Sequence, residues 1–318
     1  MVLRHQDKAW GEGETLSPFD ITPQYPSMAL MKKFEHWLPR LVVMPSFVVS
    51  LLFIYGLMAW NGYLSMSASR ILPNYDFVGL QHYAALMDSD RFQVAMRNMA
   101  VFGTLFIGGA MALGVLLAIL LDQKVRGEGV LRTIYLYPMA VSFIVTGTAW
   151  KWIMNPGLGL EHLMHSWGFT SFSFDWLIQQ DMAIYCVVIA GVWQSAGFVM
   201  ALFLAALRGI DDSIIKAAQV DGASLPRIYW RIILPSLGPV FFSTLLVVSH
   251  LAIKSFDLVM ALTAGGPGYA TDLPATFMYA TAFTRGQIGV GAASATVMLA
   301  TVAAIVVPYL YSELRGKR

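Results

Sequence analysis

Six apolar stretches dominate this 318-residue chain: Leu38–Trp60, Met99–Leu121, Ile134–Ile153, Met182–Leu207, Leu237–Leu262 and Val290–Tyr311. Each supplies the roughly 20 residues that a helix needs to cross ~30 Å of hydrocarbon. Lipid leaves little choice of form, because backbone N–H and C=O groups must be satisfied within the helix or in a closed barrel. The pattern predicts an all-α membrane protein with six transmembrane helices. The second is expected to begin before Met99, since the preceding "FQVAMRN" is amphipathic. Composition agrees: 13% of residues are charged, about half the share found in soluble domains. Trp60, Tyr63, Trp150, Trp152, Tyr309 and Tyr311 fall near span ends, where aromatic rings favour the membrane–water interface.

Fifteen of the 21 Lys and Arg lie on the N-terminal tail, the second-to-third loop, the fourth-to-fifth loop and the C-terminus, with Arg40 grouped with the tail. Five lie on the three opposite loops, with Lys151 grouped there, and Lys254 falls inside a span. Positive charge marks the cytoplasmic side, so both termini are predicted to be cytoplasmic. Residues 1–37 read as a polar cytoplasmic tail and 38–318 as one transmembrane domain. The tail lacks the apolar core and small-residue cleavage site of a secretory signal; its Met28–Phe34 stretch can lie on the membrane surface.

Several kinds of chemistry are missing from the sequence. No G-x-x-x-x-G-K-[ST] loop cradles a phosphate, and no G-x-S-x-G elbow presents a nucleophile. His162 and His165 are close in sequence but have no companions at metal-ligand spacing. Cys186, the single cysteine, cannot make an intrachain disulfide. A net charge of +2 gives no reason to expect a nucleic-acid partner. The chain is therefore expected to be no enzyme, to hold no metal and to draw any energy from a partner.

One cytoplasmic segment stands apart, "KAAQVDGASLPRIYWRIILP" (Lys216–Pro235), within the loop 208–235. Asp211 or Asp212 suits the cap of a helix beginning at Ser213, and Gly222 suits its C-terminal end. Ser224 and Pro226 suit the start of a second short helix, and Pro235 a break before the fifth span. Such a hairpin can simply lie on the membrane, or it can be a docking knob for a soluble partner.

The segment resembles the signature loop of bacterial ATP-binding-cassette importer permeases: Glu-Ala-Ala, three residues, Gly, nine residues, Ile-x-Leu-Pro. Ala217, Ala218, Gly222, Ile232, Leu234 and Pro235 match at that spacing, and Asp221, Gly222 and Ala223 match its extended form. Lys216 departs from the pattern, standing where Glu is usual, so a family salt bridge there cannot be carried over. "LYPMAVSFIVTGTAWKWIMNPGLGLEH" (Leu136–His162) and "FDLVMALTAGGPGYATDLPATFMYATAF" (Phe256–Phe283) are similar to regions of the maltose and glycerol-phosphate type of binding-protein-dependent sugar permease. The run from Lys254 to Tyr279 most resembles permeases for glucose, mannose or α-glucosides.

The resemblance implies a type I importer permease fold in the bacterial inner membrane. It also implies an assembly: a second permease subunit, an ATPase dimer, and an extracytoplasmic sugar-binding protein. In the family, the signature loop sits in a cleft of the ATPase. This chain would carry no cofactor, ATP and Mg being bound by the ATPase subunits.

A solute path through lipid needs polar groups, because an unsatisfied hydroxyl in hydrocarbon costs several kcal/mol. On the fourth span Gly191, Gln194, Ser195 and Phe198 recur at i, i+3, i+4 and i+7, which is one helical face. An amide and a hydroxyl suit sugar hydroxyls, and a flat ring suits a sugar's C–H face. Small and polar residues also join helices in membranes; resemblance to the maltose-type permeases assigns these four positions to sugar contact. The same resemblance assigns Val248, Ala252 and Ser255 on the fifth span, and Lys254 beside them is a further candidate for solute contact. His250, Lys254 and Asp257 fall at i, i+4 and i+7, and charges within a span mark functional sites or internal pairs. Lys254 and Asp257 can pair within the helix, or Asp257 lies close to the outer interface and only Lys254 is deep; in the competing function, a proton-coupled secondary transporter, the three form the relay. The glycines of the outer "TAGGPGYATDLP" serve a tight turn or a contact with the binding protein.

Overall fold

The computed structural model describes residues 28–316 apart from Pro73 and Lys124, with side chains described over 39–309 and at Tyr311. The polar tail before Met28 lies outside the described residues. The chain divides after Leu57 into two compact units. The first holds α1 (Met28–Ser50) and a π-helical turn, Leu51–Tyr55, in which the Gly56 N–H reaches back to the Leu51 carbonyl. α2 (Gly56–Leu64) crosses the division.

In the second unit, α3 (Gln81–Met87) precedes α4 (Asp90–Asp122), a helix of 33 residues. At 1.5 Å per residue α4 is about 50 Å long. Ser89 caps it by accepting the Phe92 N–H at 3.4 Å, and Asp90 complements the positive end of its dipole. α5 (Glu128–Ala140), α6 (Phe143–Ile153), the short α7 (Leu160–Ser166) and α8 (Ala183–Leu207) follow. Next come α9 (Asp212–Val220), α10 (Leu225–Ile228), a π-turn (Tyr229–Ile233) and α11 (Leu234–Ser236). α12 (Gly238–Ile253), α13 (Asp257–Leu262), α14 (Pro274–Tyr279), a third π-turn (Ala280–Thr284) and α15 (Ile288–Gly316) complete it. Among the described residues there is no strand, only an isolated bridge between Ser67 and Phe77.

Pro39–Leu64, α4, α8 and Ile288–Tyr309 are each long and apolar enough to cross a membrane alone. α5 with α6, and Leu225–Ser236 with α12, reach that length and apolar character only as bent pairs, which allows up to six spans. Lipid tails gain nothing from apolar side chains coming together, so helices in a membrane associate where small residues let backbones approach. A Cβ built on Gly114 would lie 2.4 Å from Val199 Cβ, and one on Gly109 would lie 2.9 Å from the Val192 side chain. These glycines seat α4 against α8. Gly197 seats α8 against α5, since its Cβ would fall 2.1 Å from the Tyr135 carbonyl oxygen.

Three expectations about the spans are corrected. The third is not straight: α5 and α6 meet at 102° across Val141 and Ser142, where Ser142 Oγ caps α6 by accepting the Val145 N–H. The fifth is not continuous either, because α12 ends at Ile253 and α13 restarts at Asp257. The two outer halves, α6 and α13, pack together through Gly147, whose Cβ would lie 2.6 Å from that of Ala261. Lastly, Pro235 does not end the helix before the fifth span; the helix runs to Ser236 and the 71° bend falls at Leu237. Proline removes a backbone donor and crowds the carbonyl four residues earlier. The wider π-turn directly upstream accommodates both effects.

Candidate coupling segment and solute-facing site

The 208–235 loop folds as two short helices around a defined corner. Asp211, not Asp212, is the cap of α9: its Oδ1 accepts the Ser213 N–H at 2.8 Å. That backbone bond, followed by the Ser213 side chain and the charge of Lys216, holds the Asp211 carboxyl below its ordinary value. α9 ends in paired bonds, Gly222 N–H to the Gln219 carbonyl and Ala223 N–H to the Ala218 carbonyl, both 3.0 Å. This is the Schellman arrangement, and it needs a left-handed residue at the corner. Gly222 provides it with φ of 80°. Ala218 is buried against the core and Ala223 partly so, whereas Lys216, Ala217 and Asp221 are exposed.

The second half is anchored by Ile228, Tyr229 and Ile233, all buried in the main core. Of the pattern residues here, Ile232 and Pro235 are exposed and Leu234 is partly buried. The π-turn explains the shift: an α-helix would bring Ile232 under Ile228, and one extra residue per turn brings Ile233 instead. Exposed apolar side chains complete the outer surface: Val220 is 88% exposed at the corner, and Ile214 is exposed nearer the start of α9. Tyr229 also makes the segment's polar attachment. Its hydroxyl donates to Asp122 Oδ2 at 2.6 Å and accepts from Gln123 Nε2 at 3.0 Å. Just upstream, Arg208 pairs with Glu128 and ties the end of α8 to the start of α5.

Deeper in the unit, Gln194 and Ser195 of α8 are buried and Phe198 is partly buried. Gly191 admits Phe106, whose ring would lie 2.9 Å from a Cβ there, and Leu258 of α13, at 3.4 Å. Gln194 Nε2 donates at 2.7 Å to the Val141 carbonyl, the acceptor exposed by the break in the third span. Its Oε1 is buried without a protein partner, as is Oγ1 of Thr146 on α6. The amide thus closes the break with one end and offers an acceptor with the other.

The fifth-span candidates separate. Val248 and Ala252 are buried in the core on α12, whereas Ser255 is partly buried in the break beyond that helix. His250, Lys254 and Asp257 are exposed, and the break takes Asp257 off the helical face that would hold all three. Neither Lys254 nor Asp257 joins an ion pair among the described residues, so of the two alternatives the intrahelical pair is absent, and the break separates the residues of the relay. Lys254 itself was the signal that could have located the break.

The outer loop after α13 is pinned rather than merely turned. Asp272, 1% exposed, accepts Arg91 Nε at 2.5 Å and Thr276 Oγ1 at 2.9 Å. The Arg91 guanidinium lies 4.4 Å from the centre of the Tyr269 ring. Asn98 Nδ2 donates to the carbonyls of Ala270 and Asp272, at 2.9 and 3.0 Å. Gly265, with φ of 86°, is required twice over, because a Cβ would meet Asp272 Oδ1 at 2.6 Å. Sequence reasoning missed Arg91, Asn98 and Asp272; a lone Asp in a Gly-rich outer loop was the available cue.

Comparison with known proteins agrees with this architecture. Residues 36–316 match the family model described as "Binding-protein-dependent transport system inner membrane component". The chain is 36% identical over 275 residues to the xylose/arabinose import permease protein XacH of Haloferax volcanii, covering 85% of this chain and 86% of that one. It is 30% identical over 271 residues to the sn-glycerol-3-phosphate transport system permease protein UgpA of Agrobacterium fabrum, covering 84% and 92%. Among solved structures, a bacterial ABC transporter involved in import of the acidic polysaccharide alginate matches with a TM-score of 0.78 at 22% identity, covering 90% of this chain and 99% of that one. The likeness to that structure gives the fold, a type I importer permease. With up to six spans, a capped corner in the 208–235 loop keyed into the core and a family match over residues 36–316, the chain belongs to the binding-protein-dependent transport system inner membrane components.

Proposed function

We propose that this chain is one of two pore-forming permease subunits of an ATP-driven sugar importer, with glucose, mannose or an α-glucoside as solute. It is a non-catalytic subunit: ATP and Mg are bound by a partner ATPase dimer, and an extracytoplasmic binding protein delivers the sugar. The observation that carries this reading is the cytoplasmic corner. Asp211 and Gly222 build a short, exposed helix, and Ile228, Tyr229 and Ile233 fix it to the core. A hairpin that merely lay on the membrane would turn its apolar residues toward lipid and need no such anchors. Lys216, Ala217, Gln219 and Val220 remain available to a soluble motor.

The sugar class is supported by the residues around the broken third span. Gln194 Oε1 is a buried acceptor without a partner, a state that costs about 1–3 kcal/mol until a donor arrives. A sugar hydroxyl supplies one. Gly191, Gln194, Ser195, Phe198 and Ser255 are uncharged, and although Lys254 is a candidate beside them, no Arg is present among them to clamp a phosphate. The relatives named for xylose and arabinose and for glycerol 3-phosphate bracket the alternatives. Val248 and Ala252 would meet solute only in a conformation that opens the core around α12.

The test is reconstitution of the chain with its partner permease, ATPase and binding protein, measuring ATP hydrolysis with glucose, mannose, an α-glucoside, xylose, arabinose and glycerol 3-phosphate in turn. Stimulation by a glucose-type sugar supports the full reading. Stimulation by a pentose or glycerol 3-phosphate alone reassigns the solute, and stimulation by none of them refutes the sugar class.

A further inference from the structure

α4 is tied at both ends by directional bonds. At its cytoplasmic end Asp122 accepts from the Tyr229 hydroxyl at 2.6 Å, and Gln123 donates to that hydroxyl's oxygen at 3.0 Å. Among the described residues of 211–236, these are the hydrogen bonds that leave the segment; the remainder are local. Ile228 and Ile233 hold the segment by apolar contact, which is non-directional and tolerates sliding. A hydrogen bond to a carboxylate fixes one atom against another and is roughly twice as strong as a neutral one. Tyr229 is 8% exposed, so water competes weakly for the joint.

At the outer end Arg91 pairs with Asp272, and Asn98 holds the carbonyls of Ala270 and Asp272. Between the two ends Gly109 and Gly114 seat α4 on Val192 and Val199 of α8. That stretch of α8 also carries Gln194.

From this arrangement we propose that α4 is the transmission rod of the transporter. Tyr229–Asp122 is its inner joint, through which displacement of the coupling segment moves the helix. Arg91–Asp272 is its outer joint, through which the movement reaches the extracytoplasmic loop 263–273. Tyr229, Asp122 and Arg91 are positioning residues and contact neither nucleotide nor solute. The inference rests on the reading of 208–235 as the ATPase-docking segment. Coupling of this kind is reciprocal: a protein pressing on the outer loop must bias the docking segment as strongly as the motor biases the loop.

The complete complex in proteoliposomes tests this, with ATP hydrolysed and sugar imported measured in the same vesicles. An unaltered complex that imports sugar without hydrolysing ATP overturns the functional reading itself. With that complex coupled, Tyr229→Phe, which keeps the ring and deletes the hydroxyl, is expected to raise the ATP consumed per sugar about tenfold, as for the loss of one hydrogen bond to a charged group. Arg91→Gln is expected to do likewise, and the double variant to be no worse than the worse single one, as for two cuts in one rod. A wild-type ratio in assembled Tyr229→Phe, or effects that multiply in the double variant, overturns the inference and leaves the functional reading standing. If Tyr229→Phe does not assemble, Asp122→Ala cuts the same bond from the other side. Removing a carboxylate from a helix C-terminus favours the helix, so a wild-type ratio in that variant is equally decisive against the rod.

Discussion

Replacing Gly197 by Ala probes the packing beneath the candidate site more directly than any change of the site itself. The added Cβ would lie 2.1 Å from the Tyr135 oxygen, 3.0 Å from its carbonyl carbon and 3.4 Å from Leu136 Cα. All three are backbone atoms of α5, so no flexible side chain can yield. Ordinary C···O contact is about 3.3 Å, and α5 must therefore retreat by about 1 Å. The Val141 carbonyl, just beyond the end of α5, would go with it. Its 2.7 Å bond from Gln194 would stretch past the range of a real hydrogen bond. Overpacking of this kind costs about 1–3 kcal/mol, and a buried group left unpaired costs about 1–3 kcal/mol more. The control is Gly103→Ala, which has no atom within 4 Å of its Cβ; in a helix that change is worth up to about 1 kcal/mol of stabilisation. Heating each complex in nanodiscs and measuring the fraction that remains assembled should place Gly197→Ala well below the wild type and Gly103→Ala at or above it. Equal heat resistance of the two variants would refute the argument that Gly197 sets the α5–α8 distance.

Gly222 has a φ of 80° but open space around its Cβ, so the requirement there is conformational and not steric. Gly222→Asn should keep most binding-protein-stimulated ATPase activity and Gly222→Val should lose it; equal activity would show that the left-handed corner is dispensable. Because the Asp211 carboxyl is held below its ordinary value, its cap should persist through neutral pH. The cap should be lost only in acid, as pH falls from the ordinary carboxylate range through the lowered folded value. Hydrogen exchange over 211–220 should follow that course, and Asp211→Ala should abolish the dependence. Lys254→Met and Asp257→Asn should leave import insensitive to an imposed proton gradient, as in the unaltered complex; a gradient response lost in either variant would restore the relay reading.

Much of the fold could be read from the chain because hydrocarbon imposes one strong rule. The fourth span was expected at Met182–Leu207 and is found at Ala183–Leu207, since nothing within that run competes with an unbroken helix. Hydropathy records how much apolar chain is available but not whether it is continuous, and the third and fifth spans broke at Ser142 and Lys254 without losing apolar character. Asp211 and Gly222 could be read because caps are local. Tyr229 and Ile233 could not, because the π-turn moves the buried register by one residue. Arg91 and Asp272 stand 181 residues apart, and only the fold brings them together.

The central claim is that ATP drives a sugar through this chain by way of the 208–235 segment. The most direct test is uptake of radiolabelled glucose or α-glucoside into proteoliposomes holding the full complex, with ATP enclosed or with a proton gradient alone. Uptake that needs ATP and binding protein, and that fails when Gly222→Val disrupts the corner, is the predicted result. Uptake driven by the gradient without ATP would contradict the account.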